Sequence, residues 1–238
     1  MPNMSTTNKK LPKVTITIAA LNEEKIIGKT VSECLKLKQY NLQILVVLDS
    51  KTTDHTKDVA REAGATVIDT GKWRGKGAAL RKTTKFITGD YVVQIDADYQ
   101  FMPSDIPKFI DALMSGYDVA LGTRYGKGAK VYKGSVTPLR QFGIHSLSFI
   151  TSMAAGTWVT DMPAGFKAFK TRVLKDINMQ EDHYGYEAEV IIKAAQKKYK
   201  IINIPITYKK RTVGSSNVIP IKVGLLILKT IIKAGLKL

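Results

Sequence analysis

The chain has 238 residues, 44% of them apolar and 24% charged, an ordinary globular composition with enough length for a substantial core. Lys+Arg number 37 against 20 Asp+Glu, a net charge of +17. Such an excess implies a polyanionic partner (nucleic acid, an anionic membrane or a phosphorylated substrate) unless it is a proteome-wide lysine bias. A single cysteine, Cys34, excludes an internal disulfide, and no stretch approaches the roughly 18–20 apolar residues of a membrane span.

In chain order, the start "MPNMSTTNKKLPK" is polar and basic and lacks the apolar segment of a signal peptide, so residues 1–12 are expected to be a disordered leader. "VTITIAA" (14–20) predicts a strand, followed by an amphipathic helix over about 23–38. There Ile27, Val31, Cys34 and Leu35 recur at helical spacing, which makes Cys34 a core residue. "QILVVL" (43–48) is a buried strand, "DHTKDVAREAG" a helix closing at Gly64, and "ATVID" a third strand. "GKGAALRKTTKFITG" reads as a helix ending at Gly89, and "YVVQID" (91–96) as a fourth strand. Strands alternating with such helices indicate a mostly parallel sheet flanked by helices, an α/β fold whose ligands gather at the carboxyl ends of the strands. Further on come a strand at 118–124, a glycine-rich basic loop over 125–140 without an acid, and a helix over 141–155. A strand "GFKAF", a helix near 184–199 and a strand "INIPITY" complete one compact domain over 13–217. Residues 218–238 form an acid-free tail.

The chemistry concentrates where the fourth strand leaves the core. In "DADYQ", Asp96 and Asp98 are two apart, so in an extended segment their side chains point the same way. With Gln100 continuing the series they suit a hard divalent cation, Mg²⁺ or Mn²⁺; a solvated acidic turn is the alternative. A calcium EF-hand loop is excluded, because bulky Phe101 and Met102 stand where its glycine is required. Lys76 opens a predicted helix, where phosphates bind well; a solvated first-turn lysine is the other reading.

Taken together, several stretches resemble the family 2 glycosyltransferases of GT-A fold, and among them the polyprenol-phosphate (dolichol-phosphate) mannose synthases. They are "TIAALNEE", "VVLDSKTTDHT", "RGKGAAL", "DADYQ", "LGTRY", "DMPAGFKAF" and "RTVGSSN", in family order over roughly residues 13–217. The resemblance implies that Asp96, Asp98 and Gln100 hold the metal and, through it, the donor diphosphate. It places Ala19, Leu21, Glu23 and Asp49 in the nucleotide pocket. Arg124, assisted by Arg140, would face the acceptor phosphate and the reacting centre, and Arg211 would close over the diphosphate, so that Asp98, Arg124 and Arg211 are the expected catalytic residues. Four positions depart from the family pattern: Leu21 for a tyrosine, Ser50 for an aspartate, Ile144 for a serine and Asn217 for a lysine.

The implied reaction is metal-dependent, inverting transfer of a hexose to a polyprenyl or dolichyl phosphate. GDP-mannose is the first donor and UDP-glucose the second. A phosphate acceptor is already an anion and needs no general base; were one needed, Asp161 and Glu189 are the candidates. The tail fits a lipid acceptor. Lys222, Lys229, Lys233 and Lys237 follow at intervals of seven, four and four along an otherwise apolar helix, suited to an anionic membrane surface or to packing on the domain. The expected place is therefore the cytoplasmic face of a membrane, with a small membrane subunit or a second copy as further partners. An alternative resemblance, through "LNEEKIIG", "GKGAAL" and "YGYEAEV", is to the retaining glucosyl-3-phosphoglycerate synthases, whose acceptor is soluble. Nucleic-acid binding, suggested by charge alone, has neither zinc-ligand spacing nor an aromatic RNP-like strand behind it.

Overall fold

The computed structural model describes residues 10–69, 71, 75–213 and 220–236. The leader through residue 9, Arg74, Asn217 and Lys237 lie outside these residues. In chain order the elements are β1 (Lys13–Ala20), α1 (Glu24–Leu35), β2 (Asn41–Leu48), α2 (Thr56–Glu62), β3 (Thr66–Asp69), α3 (Lys76–Thr83) and β4 (Tyr91–Asp96). A 3₁₀ turn (Pro103–Asp105) then leads into α4 (Ile106–Met114), β5 (Val119–Thr123), β6 (Lys130–Val131), α5 (Pro138–Ala155) and β7 (Lys167–Lys170). The chain closes with α6 (Thr171–Ile177), α7 (Tyr186–Gln196), β8 (Ile201–Pro205), β9 (Thr207–Tyr208) and α8 (Pro220–Gly235).

Seven strands form one sheet in the order β3-β2-β1-β4-β7-β5-β8, while β6 and β9 pair separately. All neighbours in the large sheet are parallel except β7, which runs antiparallel to both β4 and β5. Side chains alternate between two cores, as period-2 strands require. Ile16, Ile18, Val93 and Ile95 face α1 and α4 through Ile27, Val31, Cys34, Phe109 and Leu113. Leu45, Val92, Val119 and Phe169 face α3, α7 and α8 through Leu80, Val190, Ile191, Ile227 and Ile231. Cys34 is fully buried, and burial pushes its thiol up to about 12.

Three local differences from the sequence expectation have physical causes. Helix α3 stops at Thr83 instead of running to Gly89, because Thr83 and Thr84 turn their hydroxyls onto the carbonyls of Leu80 and Arg81. Helix α5 begins three residues earlier than predicted, with Pro138 in its first turn and the Thr137 hydroxyl accepting from Arg140 N. Helices α4 and α6 are additions. Pro107 in "IPKFIDALM" stands in the first turn of α4, where proline fits, and does not break it.

The antiparallel strand shapes the carboxyl edge of the sheet. Because β7 runs against β4 and β5, its beginning lies at the edge where those strands end. The segment Asp161–Phe166 is thereby delivered beside Asp96 and Arg124.

Candidate active site

Six segments meet at the carboxyl edge of the sheet: the loops after β1, β2, β4 and β5, the start of α3, and the segment before β7. The first two are stitched together. Glu23 N donates to Thr56 Oγ1 at 2.8 Å, Glu24 N to Asp54 Oδ2 at 3.1 Å, and Thr53 N to Asn22 Oδ1 at 2.8 Å. Asn22 takes φ 52° to make this turn. Ala19 and Leu21 flank it half-buried, and buried Asp49 accepts from Lys51 N at 2.9 Å. Burial raises the Asp49 carboxyl despite that bond and the Lys51 charge.

Asp98 does not lie in an extended segment. β4 ends at Asp96, and Ala97–Tyr99 form a turn in which Tyr99 has φ 57°, a sparsely populated backbone conformation found at functional sites. The turn is held by Thr30 Oγ1 donating to Ala97 O at 2.8 Å, and by Gln100 N donating to Asp98 Oδ1 at 3.1 Å. The two carboxylates are thus brought together by a turn rather than by strand alternation. Burial, with the Asp96 charge next, pushes Asp98 up to about 6. Glu23 is also raised, first by burial, against the pull of Arg211 and with Asp98 and Asp96 adding to it.

Cations cover these oxygens. Arg211 reaches Glu23 Oε1 at 2.5 Å and Asp98 Oδ2 at 3.3 Å, while Lys76 Nζ lies 2.5 Å from Asp96 Oδ1. The start of α3 is less open to an anion than its sequence suggests, since Ala78 N donates to Asp182 O at 3.0 Å. Burial alone would lower the Lys76 ammonium; Asp96, Tyr186 and Glu187 overcome it and raise it well above an ordinary lysine. Gln100 donates through Nε2 to Lys209 O at 3.0 Å, so only its Oε1 remains for an ion.

Among the described residues no three His, Cys, Asp or Glu side chains assemble into a metal site. The donor set nevertheless fits a hard divalent ion of the kind that takes one or two carboxylates and completes its shell with substrate phosphate. The Asp96 charge disfavours that of Asp98, a repulsion that a cation between them would relieve.

On the far side of β4, Arg124 is bound by Asp161 through Nε and NH2, both at 2.8 Å, and its guanidinium lies 4.9 Å from the Tyr208 ring centroid. Asp161 is therefore engaged as a partner of Arg124. Glu189 is engaged too, accepting from Gln180 N and Glu181 N and pairing with Lys193. Arg140 is exposed in the first turn of α5. Tyr208 is a residue that sequence reasoning missed. Burial raises its hydroxyl, and the fields of Arg124, Asp98, Asp96 and Arg140 all act on it, which places it amid both halves of the site. Lys167, Glu187 and Tyr186, also missed, form a buried polar cluster beneath Lys76.

Helices α5 and α8 pack on each other, and α5 reaches the segment after β5 through His145, whose ring centroid lies 4.3 Å from that of Tyr125. Helix α8 buries Ile227, Ile231 and Ala234 and exposes Ile221, Leu225 and Ile232 among Lys222, Lys229 and Lys233. Helix α5 and the turn after it expose Phe142 (72%), Met153 (70%) and Trp158 (68%), together with Leu139 and Phe149. Residues 125–160 contain no acid. No helix among the described residues is long and apolar enough to cross a membrane.

The family model "Glycosyl transferase family 2" matches residues 15–177. The chain is 30% identical over 222 residues to the dolichyl-phosphate hexose transferase of Haloferax volcanii, covering 93% of each protein. It is 29% identical over 211 residues to the dolichol-phosphate mannosyltransferase of Pyrococcus furiosus, covering 86% of this chain and 58% of that protein. In fold it is similar to glucosyl-3-phosphoglycerate synthase from Mycobacterium tuberculosis, solved with Mn²⁺, UDP and glucosyl-3-phosphoglycerate, with TM-score 0.72 and 20% identity over 94% of this chain and 80% of that one.

Proposed function

Because the chain belongs to glycosyl transferase family 2, we propose that this glycosyltransferase moves a hexose from a nucleotide sugar to a polyprenyl or dolichyl phosphate at a membrane surface. The observation that carries the acceptor is the acid-free apolar face of α5 and Trp158 next to the site. A soluble acceptor requires no such face, whereas a phosphate on a lipid must be met at the membrane–water boundary. The full-length relationship to a dolichyl-phosphate hexose transferase supports the same acceptor. The likeness to glucosyl-3-phosphoglycerate synthases is one of fold, at 20% identity, and gives the soluble acceptor no comparable support.

The donor lies across Ala19, Leu21, Glu23 and Asp49, with its diphosphate toward Asp96, Asp98, Lys76 and Arg211. Asp96, Asp98 and Gln100 would hold a divalent ion, Mg²⁺ or Mn²⁺, which would supply charge stabilisation to a leaving diphosphate. Arg211 adds to it from the other side. Arg140 meets the acceptor phosphate, with Arg124 contributing the part of its field that Asp161 does not cancel. Since Asp161 and Glu189 are both tied into ion pairs, the reading in which a phosphate oxygen attacks without a base is favoured. Inversion is what the family resemblance implies, and it corresponds to a single displacement at the anomeric carbon. GDP-mannose is the first donor and UDP-glucose the second, at the cytoplasmic face.

The test crosses radiolabelled GDP-mannose and UDP-glucose with a polyprenyl phosphate and 3-phosphoglycerate, in Mg²⁺ or Mn²⁺. Label is expected in the organic phase with the lipid acceptor. Label passing only to phosphoglycerate overturns the proposal.

A further inference from the structure

Lys76 sits between two carboxylates with different surroundings. Its ammonium is 2.5 Å from Asp96 Oδ1 and 3.5 Å from Glu187 Oε1. Glu187 is sealed in. The Tyr186 hydroxyl donates to its Oε1 at 2.6 Å, and buried Lys167, held by Met162 O at 3.0 Å, pairs with its Oε2. Asp96 keeps 29% of its side chain exposed. A Cβ built on Gly165 would come within 2.6 Å of both Asp96 Oδ1 and Lys76 Nζ, so the fold reserves space for this contact by omitting a side chain. Around the edge, the carboxylates of Glu23, Asp96, Asp98 and Glu187 are met by Arg211, Lys76 and Lys167. One oxygen of each of Asp96 and Asp98, the carboxylates a divalent ion would need, is met by a side-chain cation.

We propose that Lys76 is an exchangeable counter-ion. It neutralises Asp96 in the ion-free protein and passes to Glu187 when Asp96 takes up a divalent ion. The inference rests on the reading of Asp96 and Asp98 as metal-binding. An ammonium at hydrogen-bond distance competes for a lone pair of Asp96 Oδ1 and repels a second cation brought to the same carboxylate. Glu187 offers a second seat about 1 Å further off, so Lys76 leaves Asp96 without first finding a new partner or returning to water. The exchange keeps ion affinity low and places a lysine beside the phosphates that arrive with the ion. Glu187 and Lys167 act as positioning residues for it.

The test is Mn²⁺ titration of the full chain without nucleotide, followed by the electron paramagnetic resonance signal of free Mn²⁺. Lys76→Met and Lys76→Gln, which remove the competitor, are expected to bind Mn²⁺ at least about 5-fold more tightly than wild type, with Lys76→Arg within about 2-fold of it. Lys29→Met removes a cation that lies 4.5 Å from the Tyr99 ring centroid and is expected to change little. Lys76→Gln, polar but without the charge, carries the comparison should Lys76→Met not fold by circular dichroism. Measurable wild-type binding with equal or weaker binding by the Met and Gln variants overturns the counter-ion, as does equal tightening by Lys29→Met. Absence of Mn²⁺ uptake by every variant removes the metal reading itself.

Discussion

Arg124 and Asp161 are joined by a two-pronged ion pair, Nε to Oδ2 and NH2 to Oδ1, both at 2.8 Å, and Arg124 N donates to the same Oδ2 at 2.9 Å. Asp161 is 1% exposed. The end of β5 is thereby locked to the segment that leads into β7. Burial alone would lower the Arg124 guanidinium; the charge and hydrogen bonds of Asp161, with Tyr208 and Tyr125 adding to them, together raise it above its ordinary value.

Arg124→Ala should therefore cost about 3–5 kcal/mol of stability, the usual result of stranding a buried charge. Asp161→Asn should cost somewhat less, because the amide still accepts one bond. Urea unfolding of both variants checks this. Unchanged unfolding midpoints for both would mean that Arg124 serves only the acceptor.

Gly165→Ala should leave secondary structure intact and weaken nucleotide-sugar binding. The new methyl enters the space between Asp96 and Lys76, and a displacement there is expected to lower affinity roughly 10-fold, or ~1.4 kcal/mol. Isothermal titration with GDP-mannose and UDP-glucose in Mn²⁺ measures the loss.

The pH dependence of the metal-free protein carries a sign. The carboxyl of Asp98 is raised to about 6 in the folded chain from 3.8, so the folded state holds that proton more tightly than the unfolded state does. The contribution of Asp98 to stability is therefore unfavourable above pH 6, and the penalty vanishes as pH falls below about 4. Asp98→Asn, measured against wild type by thermal unfolding in chelator, should gain relative stability as pH rises from 4 to 7. Saturating Mn²⁺ should reverse the ranking at pH 7. Asp98→Ala should abolish sugar transfer.

Membrane contact is best tested by point variants. Deleting α8 would uncover Ile227 and Ile231, which belong to the core, and would unfold the domain for reasons unrelated to lipid. Trp158 is a natural reporter. Its fluorescence should shift to the blue with anionic vesicles, the shift should weaken as salt screens the lysines, and Trp158→Phe should lose it. Combined Phe142→Ser and Phe149→Ser should reduce vesicle co-sedimentation without changing the unfolding midpoint. Sedimentation at the wild-type level would return α5 to the role of a protein-binding face.

The alternation of strands and helices, the parallel half of the sheet and the place of "DADYQ" at a strand end are all legible in the chain. They are local facts, because hydrophobic period and turn chemistry act within a dozen residues. The helical face of Cys34 and the amphipathic tail are legible for the same reason. Which partner each charge takes is a different matter, and it is decided by long-range packing. That Arg124 is tied to Asp161, Arg211 to both Glu23 and Asp98, and Lys76 to Asp96 depends on segments 37, 113 or more, and 20 residues apart meeting at one edge. Asp161 meets Arg124 because β7 runs backwards through the sheet, while Lys76 and Arg211 arrive from the start of α3 and the segment after β9. Such long-range pairings are encoded by no local pattern. Lys167, Glu187 and Tyr208 escaped sequence reading because a buried ion pair or a wedged tyrosine has the same spacing in the chain as an ordinary surface residue. Only the packing that removes water from them gives those side chains their function.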